Sequence, residues 1–163
     1  MTRFPTMPRV VLDTNTLFRA LVNPTSASGR VVDACEFRRV IVLLSAEILR
    51  EYHVVLGDAD LQARFPGITD RAIERIIGEF LYFGEYQKCV NVRFRLDRDP
   101  EDAKFIELAI AGRATHIISH DKDLLSLPAS RSDAGRRFRQ RLPGVRVQDA
   151  ATFVRDHPRI FRK

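Results

Sequence analysis

Cysteine is scarce in this chain: Cys35 and Cys89 are the two among 163 residues, and neither sits at metal-ligand spacing. This argues against a disulfide framework and for a reducing, cytoplasmic setting. Long hydrophobic runs are lacking as well. No apolar stretch approaches the ~18 residues that a membrane helix needs, so no membrane partner is expected. The opening Met1–Pro8 is polar and short, without the apolar core of a secretory leader. Histidine is sparse, and His53, His116, His120 and His157 have no cysteine or acid at zinc-site spacing. No Gly-rich phosphate loop is present, and no Ser-His-Asp or Cys-His set can be assembled.

What is present is a core and an uneven charge. Hydrophobic residues make up 45% of the chain, enough for one compact domain over residues 1–163. The net charge is +6. Residues 131–163 carry ten Lys/Arg against three Asp/Glu, whereas the rest of the chain carries 17 against 18. Such asymmetry points to an anionic partner, nucleic acid or an acidic protein. The plain alternative is a general taste for arginine over lysine.

Strands and helices alternate. Short apolar runs predict strands over Arg9–Leu12, Val40–Leu44, Cys89–Val92, Thr115–Ser119 and Val145–Val147. Helical spacing predicts Thr14–Val22, stopped at Asn23-Pro24, and Arg30–Arg38 after a loop at Thr25–Gly29. Ser45 caps a helix to about Leu56, and Gly57–Pro66 is a short helical or looped piece. Thr69 caps a helix to about Tyr86, with Ile73, Ile76, Ile77, Phe80 and Leu81 facing inward. Asp99 caps a helix to Ala111, Asp121–Leu127 opens a short helix, and Asp149 caps Ala150–Arg155. The alternation implies an α/β fold with a mainly parallel sheet and helices on both faces. The segment 130–141, rich in arginine, reads as a basic surface loop or marginal helix.

Acidic residues gather at or just beyond strand ends: Asp13 after the first strand, Glu51 (with Glu47 one turn earlier) after the second, Asp102 in the turn Asp99-Pro100-Glu101-Asp102, and Asp121 and Asp123 after Thr115–Ser119. In open parallel sheets ligands bind outside the carboxyl ends of the strands. Carboxylates sharing a cleft repel one another unless a cation balances them, and hard oxygen donors suit Mg²⁺ or Mn²⁺. Each acid has a plainer alternative. Asp99 and Asp102 have capping-box-like spacing around Pro100, Asp121 and Asp123 fit a cap and an exposed turn, and Glu51 fits a solvated helix. Asp13 has the weakest such alternative, because an aspartate closing a buried strand needs a partner.

The motifs Val11-Leu12-Asp13-Thr14-Asn15, Ser45-Ala46-Glu47-Ile48-Leu49-Arg50-Glu51, Asp99-Pro100-Glu101-Asp102 running into Phe105–Ala109, and Ile117-Ile118-Ser119-His120-Asp121-Lys122-Asp123-Leu124-Leu125 occur in this order. The chain thereby resembles the PIN-domain family and, within it, the VapC-like toxins of toxin–antitoxin pairs. The resemblance implies a three-layer α/β/α sandwich with a parallel sheet, and a ribonuclease dependent on Mg²⁺ or Mn²⁺. By resemblance Asp13, Glu51, Asp102 and Asp121 are the catalytic acids, with Asp13, Asp102 and Asp121 on the metal. Asn15, Ser119 and Asp123 support them. RNA is then the substrate and a cognate antitoxin the protein partner; family members often dimerise, so a homodimer is a further expectation. His120 stands where this branch often has glycine, and Ser119 replaces the commoner threonine. Segment 130–141 has no counterpart, and Arg136, Arg137 and Arg139 within it are candidates for holding RNA phosphates. Two rivals are a non-catalytic binding module with a basic tail and a housekeeping RNA-processing nuclease.

Overall fold

A computed structural model describes residues 6–162. Five strands form one parallel sheet: β1 Arg9–Leu12, β2 Ile41–Leu44, β3 Glu85–Tyr86, β4 His116–Ile118 and β5 Arg146–Gln148, in the order β3-β2-β1-β4-β5. The first strand of the chain is therefore the central one. Val10, Val11 and Leu12 are completely buried, as are Ile117 and Ile118. Consecutive residues of a strand point to opposite faces, so helices cover both sides of the sheet.

The helices are α1 Thr14–Val22, α2 Ala27–Glu36, α3 Ala46–Leu56, α4 Ala59–Arg64, α5 Asp70–Phe83, α6 Ala103–Ala111, α7 Lys122–Ser126, α8 Asp133–Arg141, α9 Ala150–Asp156 and α10 Pro158–Phe161. Four of them start at the carboxyl edge of the sheet on a short polar side chain. Asp13 accepts from the Thr16 amide, Ser45 from Ile48, Asp121 from Asp123 and Asp149 from Thr152. Each cap satisfies an amide that the helix itself leaves unbonded. Together they turn four strand-to-helix junctions toward one rim.

Several sequence expectations need correction. Cys89–Val92 is not a strand. The fifth strand of the sheet is Glu85–Tyr86, paired Leu43↔Glu85 and Leu44↔Tyr86, so the long helix ends at Phe83, short of Tyr86. Leu81 points outward, at 49% exposure, while Ile73, Ile76, Ile77 and Phe80 are buried. Helix α2 begins at Ala27, inside the expected loop, because Ser26 caps it at the Gly29 amide. Asp99 caps nothing: a 3₁₀ turn, Pro100–Asp102, precedes α6.

Segment 130–141 is mostly a helix, and it is anchored. Ser132 caps α8 at the Gly135 amide. Gly135 passes so close to the Ser130 carbonyl that a Cβ would not fit, and Phe138 is 1% exposed in the core. Arg137 donates to the Arg95 carbonyl, Arg139 donates to the Pro128 and Ser130 carbonyls, and Arg136 pairs with Asp133.

Among the described residues no helix is long and apolar enough to cross a membrane.

Candidate metal centre

The site begins at Asp13. Its carboxylate is buried, at 5% exposure, and accepts four hydrogen bonds. One oxygen takes the Thr16 amide (2.7 Å) and the Thr16 hydroxyl (2.6 Å); the other takes the Ser119 hydroxyl and the His120 amide (3.3 Å). Four donors match the lone-pair capacity of a carboxylate. Asp13 thus joins the end of β1 to the turn after β4, whose Ile118 carbonyl accepts from the Asp13 amide at 3.0 Å.

Ser119 carries that link outward. Its fully buried hydroxyl donates to Asp13 and accepts from the Asp121 amide at 3.0 Å. Asp121 therefore leaves β4 at a fixed angle, toward the 3₁₀ turn that holds Asp102. Carboxylate oxygens of Asp99, Asp102 and Asp121 all lie within 4.8 Å of one another. The Asp102 carboxyl is pushed up to about 7 from its usual 3.8 by burial first, then by its hydrogen bond with Asp121 and by the charges of Asp99, Asp121 and Asp13. Its Oδ2 is buried without a hydrogen-bond partner. A carboxyl with one buried, unpartnered oxygen, grouped with two further carboxylates, is an arrangement that a hard divalent cation would satisfy: it relieves the repulsion and offers the carboxyl a partner. The residues present fit such an ion.

The remaining expected site residues fall around this cluster. Glu51 does not face it freely. It pairs with Lys104 of α6 at 2.9 Å, and Lys104 also reaches Glu101 at 3.2 Å. Burial works to lower the Lys104 ammonium, but its bonds to Glu51 and Glu101 outweigh burial and raise it. Asp123 pairs with Arg98 at 3.2 Å. Asn15 lies exposed in the first turn of α1. His120 reaches the Ser28 hydroxyl at 3.4 Å and is shifted downward, by burial first and then by Arg19. Arg136, Arg137 and Arg139 sit on α8, each already bonded to α8 itself or to a neighbouring loop.

Sequence reasoning missed Asp99 as a member of the cluster, having assigned it to a cap. The available signal was density: Asp97, Asp99, Glu101 and Asp102 crowd into six residues, more acid than one helix start uses. It also missed Glu107, a buried acid on α6 held by Arg93 at 3.8 Å. Burial raises Glu107, and it lies outside the three-acid cluster.

A PIN domain profile matches residues 9–123, a span that holds every acid of the cluster and stops before α8. Among curated proteins, the uncharacterized protein MJ1680 of Methanocaldococcus jannaschii is 31% identical over 121 residues, which cover 73% of this chain and 74% of that protein. No solved structure matches significantly. PIN domains are generally metal-dependent nucleases. On the strength of the matched span and the identity shared with this relative, the chain belongs to the PIN domain family.

Proposed function

We propose that the protein is a metal-dependent endoribonuclease, hydrolysing RNA phosphodiesters as the toxin of a toxin–antitoxin pair. The observation that carries the nuclease reading is the meeting of Asp99, Asp102 and Asp121, with an unpartnered buried oxygen on Asp102. The toxin assignment and the antitoxin partner rest on the order and wording of the four motifs. RNA as substrate also draws support from the basic balance of residues 131–163.

Asp102 and Asp121 would hold Mg²⁺ or Mn²⁺ directly, with Asp99 beside them. A divalent ion so held lowers the pKa of bound water and neutralises charge on a phosphate oxygen. Asp13 acts from behind: with four donors on its carboxylate it fixes Ser119, and Ser119 fixes Asp121. Asp102 is raised by burial and by its acidic neighbours, and a bound cation would favour its charged form. Glu51, Lys104 and Glu101 form an ion triad at the flank. If Glu51 turns to the cleft as a base, Lys104 keeps Glu101 as its partner.

The test is cleavage of defined RNAs with Mg²⁺, with Mn²⁺ and with chelator, in wild type, Asp13→Asn and Asp102→Asn. Cleavage that chelator abolishes and Asp102→Asn removes is expected. Chelator-resistant cleavage, or no cleavage of any RNA, defeats the nuclease reading. Co-purification with the product of a small adjacent gene, and loss of cleavage in that complex, tests the antitoxin.

A further inference from the structure

We propose that the cavity beside the acid cluster is a nucleobase pocket, seating the base next to the scissile phosphate; this rests on the nuclease reading above. The cavity measures about 320 Å³, at the lower end of the ~300–1,000 Å³ of ordinary ligand sites. It shares Asp99 and Asp102 with the cluster. A strand whose phosphate lies on those acids therefore has its adjoining nucleotide at the mouth of this cavity.

The floor is apolar. Leu124 and Leu127 belong to the core, and Leu96 lies beside them, a surface for the flat face of a base rather than for a phosphate. Arg98 is at the mouth. Its guanidinium pairs with Asp123, but both groups are largely exposed, so the pair is weak and readily exchanged. A planar guanidinium freed in this way lies on a base or takes a phosphate oxygen. The other polar groups of the lining are the carboxylates of Asp97, Asp123 and Asp133 and the hydroxyls of Ser126, Ser130 and Ser132; Asp97 and Asp133 pair outward with Arg95 and Arg136 in exposed, exchangeable contacts. Ionised carboxylates accept hydrogen bonds and donate none. The acids favour a base with an amino group, adenine, cytosine or guanine, over uracil, while the serine hydroxyls, which donate and accept, suit any base.

The far wall comes from α8, through Ala134. Helix α8 lies beyond the span that the family profile matches. In this reading the extra helix supplies selectivity, while the chemistry stays with the matched span. Its arginines hold it in place and its small residue shapes the cavity.

The experiment follows backbone amide signals of the isotope-labelled full chain, with Mg²⁺ present. Adenosine, cytidine, guanosine and uridine 5′-monophosphates are titrated against ribose 5-phosphate, which has no base. The amino-bearing nucleotides should move the Leu127 and Ala134 signals and bind about tenfold tighter than ribose 5-phosphate. Ala134→Trp, which fills the cavity, should erase that difference. Equal binding of ribose 5-phosphate and the nucleotides overturns the proposal, as does uridine binding best. If the tryptophan variant does not fold, the wild-type comparison decides by itself. RNA cleavage is measured separately. Base-dependent binding without cleavage removes the nuclease reading and keeps the pocket. Cleavage that is indifferent to an abasic site beside the scissile phosphate keeps the nuclease and removes the pocket.

Discussion

The two ends of the parallel sheet are oppositely charged, and they treat their charges differently. At the amino edge, Arg9 opens β1, Arg146 opens β5 and Arg39 precedes β2. Arg9 is fully engaged: it grips Glu85 of the edge strand through two hydrogen bonds of 2.7 and 2.8 Å and also donates to the Gly112 carbonyl. Arg39 donates to the Ile160 carbonyl. At the carboxyl edge Asp99, Asp102 and Asp121 face one another, and Asp102 keeps an oxygen without a partner. Charge with a partner at hand builds structure. Like charge held together without one repels, and a cation would relieve it. The two edges also push their central titratable groups in opposite directions. Asp102 is raised to about 7 among acids, by burial first. His116 is lowered to about 4, again by burial first, then by His157 and Arg146, against an opposing pull from Asp156.

The comparison breaks most sharply at Asp102. Asp102→Asn keeps the shape and removes the charge. RNA cleavage should fall by about a hundredfold or more, while metal-free thermal stability above pH 7 holds or rises as repulsion is relieved. A variant that loses stability but turns over normally would make Asp102 a structural residue. Next in size is the metal itself. Mg²⁺ or Mn²⁺ at a hundredfold excess over its dissociation constant should stabilise the fold by about 2.7 kcal/mol, read as a rise in Tm. Asp99→Asn with Asp121→Asn should remove most of that rise, and an equal rise in the double variant refutes the centre.

The histidine sharpens the other edge. Because His116 is lowered in the fold, the unfolded chain takes up its proton first as pH falls below 6.5. Its contribution to stability is therefore complete above pH 6.5 and is lost progressively down to about 4. In His116→Asn, stability measured by urea denaturation between pH 4 and 6.5 should depend less steeply on pH. The smallest effect belongs to Arg9. Arg9→Ala should cost about 1 kcal/mol and leave cleavage unchanged, since the pair lies at the edge opposite the acids.

Much of this was legible in the chain. The run Val10-Val11-Leu12 followed by Asp13 reads as a buried strand leaving its sheet at a carboxylate, and so it is. Local signals sufficed wherever a cap or an apolar period fixed the element, as at Ser45, Thr69 and Asp149. They failed where distant contacts decide. Cys89-Val90-Asn91-Val92 looks more like a strand than Glu85-Tyr86, but Glu85 has Arg9 to hold it and Leu43 to pair with, and neither is visible within a short window. Helix α8 has few apolar residues, yet a single buried phenylalanine and three bonded arginines make it firm. The acids of the site were legible as types at strand ends. The meeting of Asp102 with Asp121 was expected too; the place of Asp99 and the pairing of Glu51 were not, because the 3₁₀ turn at Pro100–Asp102 brings Asp99 into the cluster and Lys104 holds Glu51.

The placing of the first strand at the centre of the sheet has a consequence for the timetable of synthesis. Asp13 is made well before the hydroxyl that locks it, on Ser119, which lies 106 residues later. Ribosomes add about 5–20 residues each second, so Asp13 waits roughly 5–20 s for its partner, and Asp121 arrives later still. Until β4 docks beside β1, a nascent chain carries all its early motifs and none of the assembled cluster. The grouping of the acids therefore waits on the docking of β4, the strand after which Ser119 and Asp121 follow.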